Sequence, residues 1–178
     1  NPNPIDVAHG SSHKGQDGLQ RRFNAAFVAQ DGKVLRPTTS GGKVVTSNTS
    51  TPWFTIKTNH PNYGPFDDDR YFTPANEIAE AMEIKLEDLL HIWQLNINDI
   101  QIKLGVILCE DMWYQDHGSH RNVSEKLREF GADIIANLSS SPWSVGKQDK
   151  RDRVVKALHP EGSIRPTFTY TNRIGNQN

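Results

Sequence analysis

The run Leu104-Gly105-Val106-Ile107-Leu108 leads without a break into Cys109-Glu110-Asp111-Met112-Trp113. An apolar stretch followed at once by a thiol and two carboxylates describes a buried strand that surfaces into a polar turn. The strand fixes the position of the thiol and the turn exposes it, which makes Cys109 the first candidate for nucleophilic chemistry. The competing reading is a small residue completing a core strand, because free cysteine is among the most buried residue types.

At 178 residues the chain is long enough for one domain with a substantial core. Its 20 basic and 21 acidic residues leave a formal charge of -1, which gives no footprint for nucleic acid or an anionic membrane. No apolar run reaches the length of a signal peptide core or a membrane span. Cys109 is the single cysteine, so no internal disulfide can form. The reading is a soluble chain of a reducing compartment, the cytoplasm. Sequons at Asn48, Asn122 and Asn137 would matter only in a secreted protein and are read as chance matches.

Residues 1–22, rich in Asn, Pro, Gly, Ser and His, read as a loop-rich leading segment, and 23–178 as a partial domain. Phe23 to Gln30 is a strand candidate, joined through Asp31-Gly32 to Lys33-Val34-Leu35 as a hairpin. Ser40-Gly41-Gly42-Lys43 reads as a turn, since a phosphate-binding loop needs Lys-Ser/Thr and a helix after its second glycine. Trp53 to Lys57 is a strand that delivers Lys57 to a strand-to-loop junction. Thr73-Pro74 opens a helix with Ile78, Met82, Leu86, Leu89 and Leu90 as its stripe, taken to extend toward Asp99. Asn98-Asp99 marks a turn before the Ile100 to Leu108 strand. Val123, Leu127 and Phe130 outline a short helix closed by Gly131, Ala132 to Leu138 is a buried strand, and Lys147 to Leu158 is a charged helix. Thr167 to Tyr170 is a last strand. Strands alternating with helices predict an α/β (α+β) fold.

A cysteine-based acyl transfer needs a thiolate and a positive group where the oxyanion develops. Cys109 and Lys57 supply these two at the ends of predicted strands. Taken alone, Lys57 also fits an ordinary solvated lysine.

Four segments in order support the pairing. Lys57-Thr58-Asn59-His60-Pro61-Asn62-Tyr63-Gly64-Pro65-Phe66-Asp67-Asp68-Asp69-Arg70-Tyr71-Phe72 resembles the region around the catalytic lysine of the nitrilase (carbon-nitrogen hydrolase) superfamily. Gly105 to Trp113 resembles its nucleophile segment. Gly131 to Trp143, with Gly146-Lys147 and Arg151, and the closing Tyr170 to Gly175 follow in the same order. The Cys-Glu-Asp-x-Trp form is most similar to the glutaminase branch found in glutamine-dependent NAD synthetases. The resemblance implies a four-layer α-β-β-α sandwich, here incomplete at both ends. It also implies amide hydrolysis through a cysteine thioester, with glutamine as the substrate and ammonia as the product used for NAD synthesis.

Carried over residue by residue, the resemblance makes Cys109 the nucleophile and Lys57 the group that steadies the oxyanion. Glu110, Tyr63, Phe66, Ser139 and Ser141 match positions lining the glutamine pocket. On their own residue types, Glu110 is also readable as a solvated turn residue, Tyr63 and Phe66 as core aromatics, and the serines as turn formers. No cofactor is implied for the amidase step. ATP and Mg would belong to a synthetase domain whose Ser-Gly-Gly-x-Asp-Ser loop is absent here. The implied partners are a small amide and, in the full-length protein, further copies of the same chain.

The departures are informative. The superfamily's general base is a glutamate before the lysine segment, whereas no glutamate precedes Glu77 and the upstream carboxylates are Asp6, Asp17 and Asp31. His60 replaces a usual leucine, Asp68 stands where glutamate is common, and the stretch around the Glu77 to Asp99 helix looks inserted. The expectation is an internal fragment that lacks its base. His117 and His120 are the closest histidine pair, without zinc-site spacing, and read as solvated loop residues. The alternatives are a stand-alone amidase or nitrilase acting on another small amide, or a catalytically silent scaffold of the same fold.

Overall fold

A computed structural model describes residues 22–49, 51–142, 144–158 and 166–174. Its centre is a six-stranded sheet built around β8 (Ile100–Leu108), the strand that the apolar run predicts. On one side β8 pairs in parallel with β9 (Ile134–Ser139), and β9 pairs in parallel with β10 (Thr167–Asn172). On the other side it pairs antiparallel with β7 (His91–Ile97), followed by β4 (Thr39–Ser40) and β5 (Lys43–Val44). The glycines of Ser40-Gly41-Gly42-Lys43 turn β4 into β5 with φ of 56° and 74°, so this segment is a hairpin turn.

Strand β7 corrects the helix expected to run toward Asp99. The helix α1 covers only Ala75–Ala81, and Glu83 adopts a φ of 57°, which a continuing helix does not allow. One 3-10 turn, Leu86–Leu89, follows, and the chain then enters the sheet. Asn98 and Asp99, with φ of 48° and 64°, form the two-residue loop that folds β7 onto β8 and sets Ile97 opposite Ile100. Positive φ at both loop residues matches the right-handed twist of the strands they join.

The alternation of side chains along β8 gives the sheet two faces. Ile107 joins Ile92, Ile135, Met112 and Trp113 in a cluster closed by α2 (Val123–Glu129) through Val123 and Leu127, and by α3 (Lys147–Leu158) through Val154 and Leu158. Gly105 is on this side, and a Cβ there would meet Leu127 Cδ1 at 3.0 Å, so the glycine allows α2 to approach. Asn122 caps α2 by accepting from Glu125 N at 3.1 Å, and Gly131, at φ 86°, follows its end. On the opposite face Val106 packs with Trp93 and Val28.

The remaining strands build a smaller body. β1 (Ala25–Phe27) pairs antiparallel with β6 (Phe54–Ile56), and Ile56 packs with Ala75, Ile78 and Ala79 of α1. β2 (Ala29–Gln30) and β3 (Lys33–Val34) form the predicted hairpin around Asp31-Gly32. Of the leading segment only Arg22 is described; Asp6 and Asp17 lie outside the described residues. Among the described residues no helix is long and apolar enough to cross a membrane. The architecture is thus mixed α/β.

Candidate active site

Cys109 follows β8 directly and opens a 3-10 turn, Cys109–Met112. Its φ is 45°, a left-handed backbone that a residue with a Cβ rarely adopts. The kink lifts the thiol off the strand axis and leaves it partly exposed. Lys57 follows β6 in the same way, and its backbone N donates to Asn24 O at 2.8 Å.

Asp111 joins these two strand ends. The residue is 2% exposed, and one carboxylate oxygen accepts from Thr58 N at 3.1 Å and Asn59 N at 2.8 Å. The other accepts from Leu108 N at 3.0 Å. Burial pushes its pKa up to about 6, against the pull of the N–H donors of Asn59, Leu108 and Thr58. Asn59 extends the tie by exchanging two hydrogen bonds of 2.9 Å with the backbone of Arg121.

Lys57 is not the solvated lysine that composition favours. Its side chain is 5% exposed, and Nζ donates to Asp68 Oδ2 at 2.5 Å. The next residue, Asp69, holds His60 Nδ1 at 2.9 Å, so adjacent carboxylates grip both ends of the Lys57–His60 segment. Burial lowers the His60 pKa, opposed by its bond to Asp69.

Glu110 is likewise buried rather than solvated, at 3% exposure. The Tyr63 hydroxyl donates to its two oxygens at 3.1 and 3.0 Å. Burial raises the pKa of Glu110, and burial together with the Glu110 charge raises that of Tyr63. Tyr63 is 42% exposed and meets Phe66 edge-on at 5.7 Å, so these two are cavity-wall residues and not core aromatics. His117 and His120, expected in solvent, lie beside Glu110.

Strand β9 supplies the facing wall. Ser139 Oγ donates to Asn137 Oδ1 at 2.7 Å, and Asn137 Nδ2 donates to Cys109 O at 3.2 Å. Asn172 on β10 fixes Ser141 by two backbone contacts, 2.8 Å from its N–H and 3.1 Å to its carbonyl. Lys147, at the start of α3, lies 4.5 Å from the Trp113 ring centroid.

All seven residues singled out from sequence, Cys109, Lys57, Glu110, Tyr63, Phe66, Ser139 and Ser141, line one cavity of about 400 Å³. Asp68, Lys147 and Arg173 line it too. Sequence reasoning noted Asp68 only as a departure and gave no role to Asp111, Asn59, Asn137 or Asn172; the signal available was the pair of carboxylates directly behind the thiol. A groove of similar volume between α1 and α2, about 400 Å³, contains none of the seven. Among the described residues no group of three or more His, Cys, Asp or Glu is placed to hold a metal ion.

No protein-family model matches the sequence. The chain is similar to the glutamine-dependent NAD(+) synthetase of Acinetobacter baylyi, at 27% identity over 173 residues, covering 97% of the chain and 24% of that protein. It is 30% identical to the Thermotoga maritima protein of the same name over 161 residues, covering 90% and 21%. The Synechocystis protein of that name is 25% identical over 165 residues, covering 90% and 23%. The chain thus spans less than a quarter of the length of these curated relatives.

Proposed function

We propose that this chain carries the glutamine-hydrolysing step of a glutamine-dependent NAD synthetase, on the nitrilase-type α-β-β-α sandwich that its sequence resembles. The observation that carries the reading is the convergence of Cys109, on its left-handed kink, and the buried Lys57 on one cavity of about 400 Å³. Its wall also bears a carboxylate, Glu110, and the cations Lys147 and Arg173, the charges that a zwitterionic amino-acid amide requires.

In this reading the Cys109 thiolate attacks the carboxamide carbon, and the carbonyl electron pair moves onto oxygen. Lys57 stabilises that oxyanion; losing such a group raises the barrier by about 3 kcal/mol. The tetrahedral adduct collapses by breaking the C–N bond, the nitrogen leaves with a proton as ammonia, and a thioester remains. Water then attacks the thioester carbon and returns the thiol, giving glutamate. Glu110 takes the substrate ammonium, Tyr63 and Phe66 wall its chain, and Ser139 and Ser141 offer hydroxyls. The base that accepts the thiol proton is a glutamate outside these 178 residues. ATP and Mg serve a separate synthetase domain, and the full-length protein is a cytoplasmic homo-oligomer.

In the full-length protein, Cys109→Ala abolishes ammonia release from glutamine but leaves NAD formation that uses free ammonium as its nitrogen source. Release that survives the substitution sinks the nucleophile assignment. The 178 residues alone release negligible ammonia from glutamine, and robust turnover by them would disprove the external base.

A further inference from the structure

His117 and His120 aim at the same atom, and no step of the hydrolysis uses them. His117 Nε2 lies 3.5 Å and His120 Nδ1 3.8 Å from Glu110 Oε1. The His117 ring stacks on Tyr63 with centroids 4.7 Å apart, and His120 follows 4.7 Å beyond it. The three rings thus form a wall beside a carboxylate whose side chain is only 4% exposed. Other charged and titratable groups surround them. Lys57 and His60 come from the loop after β6, Lys147 from α3, and Cys109 from the kink, while Asp116 in their own loop is held by Arg153 at 3.0 Å.

A desolvated carboxylate requires a positive partner. An imidazolium can be that partner, and so can the ammonium of an incoming substrate, but the two compete for one oxygen. We infer that the His117–His120 pair supplies the resident counter-cation of Glu110, and thereby a specificity-determining element that makes the preference for ammonium-bearing over uncharged-chain amides depend on pH. The inference rests on the glutamine-hydrolysing reading. Binding an ammonium group releases a proton from the histidine pair to solvent, so apparent affinity weakens as pH falls through the imidazole range. The effect enters KM and not kcat, because neither histidine touches the reacting carbon. Burial, and after it the neighbouring His117 charge, lower the His120 pKa.

The test uses the full-length protein and two amides: L-glutamine, and glutaramate, which keeps the amide and carboxylate but lacks the ammonium. For the wild type, the ratio of their kcat/KM values is measured from pH 8 to pH 5.5, an arm that depends on no variant. The preference for glutamine is expected to fall about tenfold per pH unit once the pair is protonated. In His117→Gln/His120→Gln the fall follows protonation of Glu110 alone and sets in at higher pH, because a buried carboxylate without its cationic partner binds a proton more readily. A preference that is flat with pH in the wild type, or that falls identically in the double variant, overturns the inference while hydrolysis of both amides upholds the underlying reading. If neither amide is hydrolysed and neither slows alkylation of Cys109 by iodoacetamide, the reading itself fails and the inference with it.

Discussion

The Asp111 carboxylate lies 2.8 Å from the backbone N–H of Asn59, 52 positions earlier in the chain, while its second oxygen holds Leu108 N. One buried side chain thereby sets the Lys57 loop against the cysteine turn. Asn is nearly isosteric with Asp but replaces one acceptor by a donor, which would face an N–H. Asp111→Asn is expected to cost about 3 kcal/mol, the desolvation of one or two unsatisfied buried donors. Urea denaturation at neutral pH measures it; a cost below about 0.5 kcal/mol, the range of neutral surface changes, would show that the clamp is dispensable.

The Lys57–Asp68 pair, with side chains 5% and 18% exposed, predicts an asymmetric response. Asp68→Leu alone strands a buried ammonium and destabilises by about 3 kcal/mol. Lys57→Met combined with Asp68→Leu removes both charges and recovers most of that loss, because the penalty belongs to the unpaired ion. Chemical denaturation of the two single variants and the double variant closes the cycle. Additive losses would contradict the pairing.

His91 gives a pH dependence of stability. It is 1% exposed, packs edge-on against Trp93, and neither ring nitrogen has a hydrogen-bond partner among the described residues. Burial lowers its pKa to about 4 from an ordinary 6.5. Between those values the unfolded chain binds a proton that the native state refuses, so the stability this residue allows is complete above pH 6.5 and declines as pH falls toward 4. His91→Leu lacks this response. Its stability relative to wild type should rise by about 3 kcal/mol between neutral pH and pH 4, and parallel profiles would disprove the assignment.

The β7–β8 loop contains Asn98 and Asp99, both left-handed. Asp99→Gly supplies the residue that this turn favours second, and should raise stability by about 0.5 kcal/mol. Asp99→Val, branched at Cβ, should lower it by about 1 kcal/mol or more. Thermal melts distinguish the two directions, and equal melting temperatures would contradict the turn type.

The sequence revealed the elements whose periodicity and punctuation agreed. Ile100 to Leu108 is an apolar run bounded by a turn and a polar kink, and its observed limits are those residues. His91 to Ile97 was concealed because Leu86, Leu89 and Leu90 continue the spacing of α1, although Glu83 breaks the backbone ahead of them. The contrary signal was the Asn98-Asp99 pair, which needs a strand on both sides. At the site, residue types identified by the resemblance gathered on one cavity, whereas the residues holding them did not stand out. Asp111, Asn59 and Asn137 act through backbone atoms far away in sequence, and such bonds leave no periodic trace. His117 and His120 sit in a loop whose fold is set by Asn59, from another part of the chain.

The left-handed backbone at Cys109 also has an evolutionary consequence. A side chain held there costs about 1–3 kcal/mol, a penalty that glycine would not bear. Any lineage in which the thiol ceased to be needed would gain folding stability by drifting to glycine at this position. On the proposed mechanism, the strain at the end of β8 persists for the sake of the thiol, so glycine there would mark a copy that has given up the chemistry.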